Sequence, residues 1–195
     1  MSKNIINVLN YNKTILNYSD FGIIFIGFKK DYLKVKIAKL CKDKIITKLT
    51  KWVYFVTSKW YDSFELPTKL YSPSYISFHS ALYHHWIIFQ LPNWISFAYK
   101  RNLEKQVWKE YIYSKRLKEE ILYNTTWIIS NWIYSIADKE RAFLDTLYIY
   151  WEIYFDNLNW LEKSKVLEYL SIYKNKNFEE RVKMYLNNKK PLWAQ

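Results

Sequence analysis

Apolar residues recur at helical spacing in the middle of the first 60 residues. They fall at i, i+4, i+7 and i+8, which predicts a helix with one side against a core: Leu33, Ile37, Leu40 and Cys41. A shorter helix is predicted at residues 4–10. Another is predicted with Ser19 as its N-cap and Gly27 as its stop. The chain therefore starts with three predicted helices.

A hairpin is predicted to follow these helices. Residues 45–49 and 53–56 are β-branched and aromatic, and the short connection between them allows them to pair. Three helices and a hairpin are typical of a winged helix-turn-helix. In that architecture the third helix enters the major groove of DNA, and the hairpin, or wing, follows the phosphate backbone. We therefore predict a winged helix-turn-helix DNA-binding domain over residues 1–60.

Two prolines indicate where this domain ends. Pro67 and Pro73 bracket the stretch LPTKLYSP, a composition that disfavours a continuous helix or strand. Residues 61–74 are therefore predicted as a linker between two domains.

The remaining residues mix strand-like and helical patterns. ISFAYK, EYIYSKRL, IIS and IYSIA are strand-like, and ADKERAFLDTLYIY is helical with Asp138 as its N-cap. Arg141 and Asp145 form an i, i+4 pair of opposite charge in that helix. Residues 75–195 are predicted as an α+β domain with a small, mainly antiparallel sheet, so the whole chain is predicted to be α+β.

The positive charge is concentrated in the N-terminal domain. Residues 1–60 contain 12 lysines and three aspartates, a net charge of +9, within a formal net charge of +12 for the chain. Such asymmetry is typical of a nucleic-acid-binding module joined to a more neutral one. A chain that is merely lysine-rich throughout would not be nearly neutral after residue 60.

The basic residues of the third helix and the wing form the candidate DNA interface. Lysines here suit neutralisation of phosphates, while Tyr32 and Lys36 suit base edges or sugars near the helix start. The candidate residues are Lys29, Lys30, Tyr32, Lys34, Lys36, Lys39, Lys48 and Lys51. The alternative is a solvated lysine-rich face without a ligand. Charge, helix position and a basic wing together favour double-stranded DNA as the partner.

Other classes of site find little support in the sequence. Three histidines within seven residues lack metal-ligand spacing, and the acidic residues around position 140 fit a helix cap and an ion pair. We therefore predict no catalytic residue, no metal and no cofactor. The single cysteine excludes an internal disulfide. The longest apolar run has eight residues, whereas a membrane-spanning helix needs about 20. The first residues lack the layout of a secretory signal, so we expect a cytoplasmic protein outside the membrane.

Two motifs carry a resemblance to a known family. YISFHSALYHH, at residues 75–85, resembles the opening of the C-terminal domain of AbiEi-type antitoxins. IADKERAFLDTLY, at residues 136–148, resembles a second motif of that family. The N-terminal winged helix, with its Lys-x-Val-Tyr wing, is similar as well. The resemblance covers nearly the whole chain, with the three features in the family's order.

The resemblance implies a function more specific than DNA binding. It implies a transcriptional autorepressor at repeated sites of its own promoter, and the antitoxin of a type IV toxin–antitoxin system that defends against phage by abortive infection. The implied functional partner is a nucleotidyltransferase-type toxin, neutralised without a stable complex. No enzymatic activity is implied. Two alternatives stay open: a DNA-targeted nuclease or nucleotide-modifying enzyme, and an RNA-binding or protein-interaction module.

The counts of glycine and tryptophan suggest a separate hypothesis. The chain has 2 glycines and 10 tryptophans, whereas about 14 glycines are typical of this length. Trp52, Trp86 and Trp132 stand where the family tends to have glycine, and Asn131 followed by glycine would form a two-residue type I′ hairpin turn. Some lineages read the UGA codon as glycine and others as tryptophan, so translation with the wrong table would produce this exchange. The alternative is a genuinely tryptophan-rich protein.

Overall fold

The N-terminal region contains three helices and three short strands. The computed structural model describes residues 3–187. The first elements are α1 (Lys3–Asn10), β1 (Ile15–Asn17), α2 (Tyr18–Ile24), α3 (Lys30–Lys42), β2 (Ile46–Thr50) and β3 (Val53–Val56). The three predicted helices and the hairpin are confirmed as elements. The strand β1 was not predicted, because three residues are too short to show an alternating pattern.

The three strands form an antiparallel sheet in the order β1-β3-β2. All four residues of the central strand, β3, are buried, and its side chains alternate between the two faces. Tyr54 and Val56 pack against the helices of the N-terminal region, whereas Val53 and Phe55 belong to the core of the rest of the chain. The sheet therefore separates two hydrophobic cores.

The helix α2 starts earlier than predicted. Its N-cap is Asn17 rather than Ser19, because Asn17 stands directly at the junction of β1 and α2. The Asn17 side chain accepts a hydrogen bond from the backbone N–H of Asp20 at 3.0 Å, and the Asp20 carboxylate accepts one from the Asn17 N–H at 2.9 Å. This reciprocal capping box fixes the first turn. The helix ends at Ile24, and Gly27, with φ +93°, lies in the connection to α3.

The second part of the chain combines a six-stranded sheet with helices. Its strands are β4 (Tyr75–Ile76), β5 (Ile95–Tyr99), β6 (Leu103–Val107), β7 (Glu110–Arg116), β8 (Ile128–Ser130) and β9 (Ser135–Ala137). Its α-helices are α4 (Glu65–Leu70), α5 (Phe78–His84), α6 (Glu119–Leu122), α7 (Lys139–Ile149), α8 (Lys163–Tyr169) and α9 (Lys176–Leu186). Two single 3-10 turns lie at Leu158–Trp160 and Leu170–Ile172. The α+β class is therefore confirmed.

The larger sheet is mixed. Its strand order is β6-β7-β5-β4-β9-β8. Three neighbouring pairs are antiparallel, whereas β4 with β9 and β5 with β7 are parallel. α7 packs against α5, α8 and α9 and is buried from Glu140 to Leu147. Within residues 3–187, no helix combines the length and the apolar character that crossing a membrane requires.

The connection between β8 and β9 is longer than the two-residue turn expected if glycine followed Asn131. Ser130 pairs with Ser135, so four residues rather than two connect the strands. The Asn131 side chain accepts hydrogen bonds from the backbone N–H groups of Ile133 and Tyr134, at 2.8 and 2.7 Å. These bonds stabilise a wider loop in which Trp132 does not have positive φ. The two-residue type I′ turn expected for glycine after Asn131 is therefore not the connection that this chain, with tryptophan at position 132, adopts.

The segment predicted as a linker, residues 61–74, contains a buried helix. Within α4, Glu65 and Leu66 are fully buried. The Glu65 carboxylate accepts hydrogen bonds from the backbone N–H of Ile15 at 3.2 Å and from the hydroxyl of Thr14. The segment therefore packs onto β1 rather than extending freely. The domain boundaries at residues 60 and 75 stay predictions.

Candidate nucleic-acid interface

The helix α3 has a buried side and an exposed side. Leu33, Ile37 and Leu40 are buried in the N-terminal core, as their spacing predicts. Residues at i, i+3, i+4 and i+7 share the opposite side. They are Tyr32, Val35, Lys36 and Lys39. Val35 is 65% exposed, so an apolar side chain stands among the polar ones on this surface.

Each of the eight predicted interface residues reaches the surface. Lys36 is half-buried, and the other seven are exposed: Lys29, Lys30, Tyr32, Lys34, Lys39, Lys48 and Lys51. Lys34 Nζ lies 3.2 Å from the Asp31 carboxylate, and both side chains are exposed. An exposed ion pair of this kind contributes little to stability. Lys34 can therefore leave Asp31 and bind another anion with little loss of free energy.

The start of α3 and the β2–β3 turn meet at a shallow depression of about 440 Å³, lined by Tyr18, Lys30, Asp31, Lys34 and Trp52. The rings of Tyr18 and Trp52 meet edge to face, with centroids 5.1 Å apart. The Tyr18 hydroxyl donates to the backbone carbonyl of Lys30 at 3.1 Å. Lys51 precedes Trp52 in the turn. Two predicted helix lysines, Lys30 and Lys34, are thus brought next to the wing turn at this end of α3.

Lys48 lies apart from that depression, beside the C-terminal half of α3. Burial raises the pKa of the Cys41 thiol, and the positive charge of Lys48 opposes the rise. The register places Lys48 opposite Tyr54, whose side chain packs into the N-terminal core. The candidate interface therefore has two basic ends, one at the wing turn and one near the end of α3.

Sequence reasoning did not identify all residues of this surface. Tyr18 lies at the start of α2, and nothing in its spacing connects it with α3. Phe28, in the α2–α3 connection, is 43% exposed and packs its ring 5.1 Å from that of Tyr32. The proximity of these rings follows from the fold of the connection. A run of aromatic residues before a basic helix is the only signal that the sequence offers.

A buried ion pair lies in the second family-like motif. Arg141 Nε is 3.1 Å from Asp145 Oδ1, and neither side chain is exposed. The hydroxyls of Tyr75, Ser77 and Tyr173 donate to the same carboxylate at 2.7–2.9 Å. The predicted i, i+4 pair is confirmed. The sequence did not predict that the pair is buried.

The rest of the Arg141 side chain is satisfied inside the protein as well. Its Nη2 donates to the Tyr75 hydroxyl at 2.8 Å and to the backbone carbonyl of Ile121 at 2.7 Å, and its Nη1 donates to the Tyr169 hydroxyl. Burial raises the pKa of the Tyr75 hydroxyl and of the Tyr173 hydroxyl well above the ordinary value, and it is the largest influence on both. The cluster connects β4, α7 and α8, and its arrangement is that of a structural network.

His85 and the acidic residues around position 140 hold local structure. His85 Nε2 lies 2.8 Å from the Ala137 carbonyl, which ties the end of α5 to β9. The Asp138 carboxylate accepts from the Arg141 N–H at 2.8 Å and caps α7. Glu140 accepts from the backbone N–H of Glu162 at 2.8 Å. Among residues 3–187, no group of three histidine, cysteine or acidic side chains is arranged to hold a metal ion.

The chain matches no protein-family model and no curated protein. Function is therefore inferred from topology and from the side chains that α3 and the β2–β3 turn present to solvent.

Proposed function

We propose that residues 1–60 form a winged helix-turn-helix and that the chain is a DNA-binding transcriptional autorepressor. The observation that carries the proposal is the element order α1-β1-α2-α3-β2-β3 with an antiparallel sheet in the order β1-β3-β2. In this arrangement α2 and α3 make the helix-turn-helix, and β2 and β3 make the wing. The exposed lysines of α3 and the turn give that surface the charge that DNA binding requires.

Two kinds of contact are assigned to the surface. Six lysines bind phosphates, and these contacts position the protein on any duplex. They are Lys29, Lys30, Lys34 and Lys39 of α3 and its start, and Lys48 and Lys51 of the hairpin. Tyr32 and Lys36 point from the exposed side of α3 and read base edges in the major groove. Val35 lies between them and suits the methyl group of a thymine.

The antitoxin role rests on the resemblance of two motifs. Both motifs contribute to the buried network, since Tyr75 and Ser77 belong to the first and Arg141 and Asp145 to the second. We propose that the second part of the chain supports neutralisation of a nucleotidyltransferase-type toxin without a stable complex. Co-expression with a nucleotidyltransferase gene encoded next to this one tests the proposal. Restored growth supports it, and unrelieved toxicity contradicts it.

A footprint on the DNA upstream of the gene tests the autorepressor proposal. The full chain should protect repeated sites there and leave a scrambled duplex of equal length unprotected. Lys30→Ala with Lys34→Ala should abolish protection. The matched control is Lys163→Ala with Lys176→Ala, two exposed lysines of α8 and α9. Equal loss of binding in both double variants would contradict the assigned surface. Cleavage of plasmid DNA in Mg²⁺ would favour a nuclease instead.

A further inference from the structure

Among the residues that the structure describes, tryptophan occupies most of the left-handed backbone positions that glycine does not hold. Among residues 3–187, seven residues other than glycine have positive φ, and four of them are tryptophan: Trp52, Trp86, Trp108 and Trp127, with φ between 55° and 65°. Only a few per cent of non-glycine residues normally have positive φ, mostly asparagine, aspartate and histidine. Such a concentration in one large residue type has no explanation in tryptophan's own conformational preferences.

Trp86 stands where a helix-ending motif ordinarily has glycine. α5 ends at His84, and His85 is its C-cap. The Trp86 N–H donates to the Tyr83 carbonyl at 3.0 Å, and the Ile87 N–H donates to the Leu82 carbonyl at 2.9 Å. These two bonds define a Schellman motif with Trp86 at the left-handed C′ position, for which glycine is the usual residue. The Trp86 side chain is 56% exposed.

Trp108 and Trp52 stand in two-residue hairpin connections. Val107 pairs with Glu110, so Trp108 is the first residue of the turn between β6 and β7. Positive φ at that position is the property of a type II′ turn, which has glycine there. Thr50 pairs with Val53, which makes Trp52 the second residue of the β2–β3 turn. Positive φ at a second turn position also favours glycine.

The same backbone positions can be held by other residues. Lys44 follows α3 at the C′ position of an equivalent Schellman motif, with hydrogen bonds from Lys44 and Ile45 to Cys41 and Leu40. Lys174 and Phe78 also have positive φ, so three residues other than tryptophan and glycine share this conformation within residues 3–187. The tryptophans differ because four of the nine within residues 3–187 have positive φ.

We infer that positions 52, 86, 108 and 127 are glycine positions, and that the polypeptide made in the cell carries glycine there through a reassigned UGA codon. The structure keeps positions 52 and 86 from the sequence hypothesis and adds positions 108 and 127. It removes position 132, because Trp132 does not have positive φ. Trp127 differs from the others in one respect, because its ring stacks on Tyr169 with centroids 4.6 Å apart. Its φ of 61° nevertheless places it in the same backbone class.

Peptide mapping of the protein purified from its own cells tests the inference directly. Peptides that cover the four positions should have masses lower by the difference between a tryptophan and a glycine residue. The corresponding codons in the gene should be UGA. Tryptophan in these peptides, or UGG at the four codons, would overturn the inference.

Stability of the recombinant chain tests the conformational argument independently. Trp86→Gly and Trp108→Gly should each raise the Tm by about 2–4 °C, because glycine adopts the left-handed conformation without strain. Trp60→Gly and Trp132→Gly are matched controls, since both side chains are more than 90% exposed and neither residue has positive φ. The controls should leave the Tm unchanged or lower it, because glycine increases the entropy of the unfolded chain. A lower Tm for both test variants would overturn the argument.

Discussion

The Asp138 carboxylate stabilises α7 as its N-cap, whereas burial of its negative charge lowers stability. The carboxylate caps α7 through the Arg141 N–H, yet burial raises its pKa to about 6. A raised folded-state pKa means that the protonated form is favoured in the fold. The stability that Asp138 contributes by this preference for a proton is therefore fully present below the unfolded-state pKa. It is lost as the pH rises through about 6.

Asp138→Asn should separate the cap from the charge. Asparagine is as good an N-cap as aspartate and carries no charge. The stability of the variant relative to the wild type should therefore increase as the pH rises from 4 to 7.5. Asp138→Ala is the control and should be less stable by about 1 kcal/mol through loss of the cap. Tm values across this pH range measure both effects, and a relative stability of the asparagine variant that falls with pH would contradict the assignment.

The Arg141–Asp145 pair offers a second test at single residues. Asp145→Asn removes the charge that compensates a fully buried guanidinium, so the free energy of unfolding should fall by about 3–5 kcal/mol. Asp31→Asn removes the exposed partner of Lys34 and should change it by less than about 1 kcal/mol. Denaturant unfolding of both variants gives the comparison. A change of less than about 1 kcal/mol in the free energy of unfolding for both variants would show that the buried network is not needed for stability.

Local patterns predicted the elements better than their junctions. The spacing of Leu33, Ile37 and Leu40 predicted the buried side of α3, because helical periodicity is a property of the sequence alone. The cap of α2 was misplaced because Asn17 becomes the cap only when β1 ends there. The β8–β9 connection is wider than the turn expected for Asn131 followed by glycine, because the Asn131 side chain accepts hydrogen bonds from two backbone N–H groups of the loop.

Contacts between distant segments were beyond sequence reasoning for the same reason. The i, i+4 spacing predicted that Arg141 meets Asp145. Tyr75 and Tyr173 complete the hydrogen bonding of this pair, which follows only from the packing of β4 and of the segment after α8 around α7. In the candidate interface, the lysines of α3 were predicted from charge and periodicity. The meeting of Tyr18 with the wing turn depends on the sheet register.

At the scale of elements, α3 and the hairpin turn should have different roles in binding. Tyr32→Ala and Lys36→Ala should reduce the preference for the upstream sites over a scrambled duplex, by about 1–3 kcal/mol for a good base contact. Lys51→Ala, in the turn, should weaken binding to both duplexes alike. Affinities of the three variants for the two duplexes measure this difference. Equal losses on both duplexes for all three variants would remove the recognition role of α3.

The whole molecule joins a strongly basic region to a nearly neutral one through a shared core. Ile15, Val53 and Phe55 of the N-terminal sheet are buried in the core of the second part, and Glu65 bonds to β1. Removal of residues 61–187 would expose these apolar side chains. Binding measurements therefore need the full chain, so that loss of affinity reports on the interface and not on a destabilised fragment.

The salt dependence of binding by the full chain tests the central claim most directly. Each phosphate neutralised on duplex DNA contributes about −0.9 to the slope of log K against log salt concentration, so six lysines predict a slope of about −5. The DNA upstream of the gene and a scrambled duplex should share most of this slope, while the upstream DNA binds more tightly at every salt concentration. An affinity that is flat between low and physiological salt, with no difference between the two duplexes, would contradict the account.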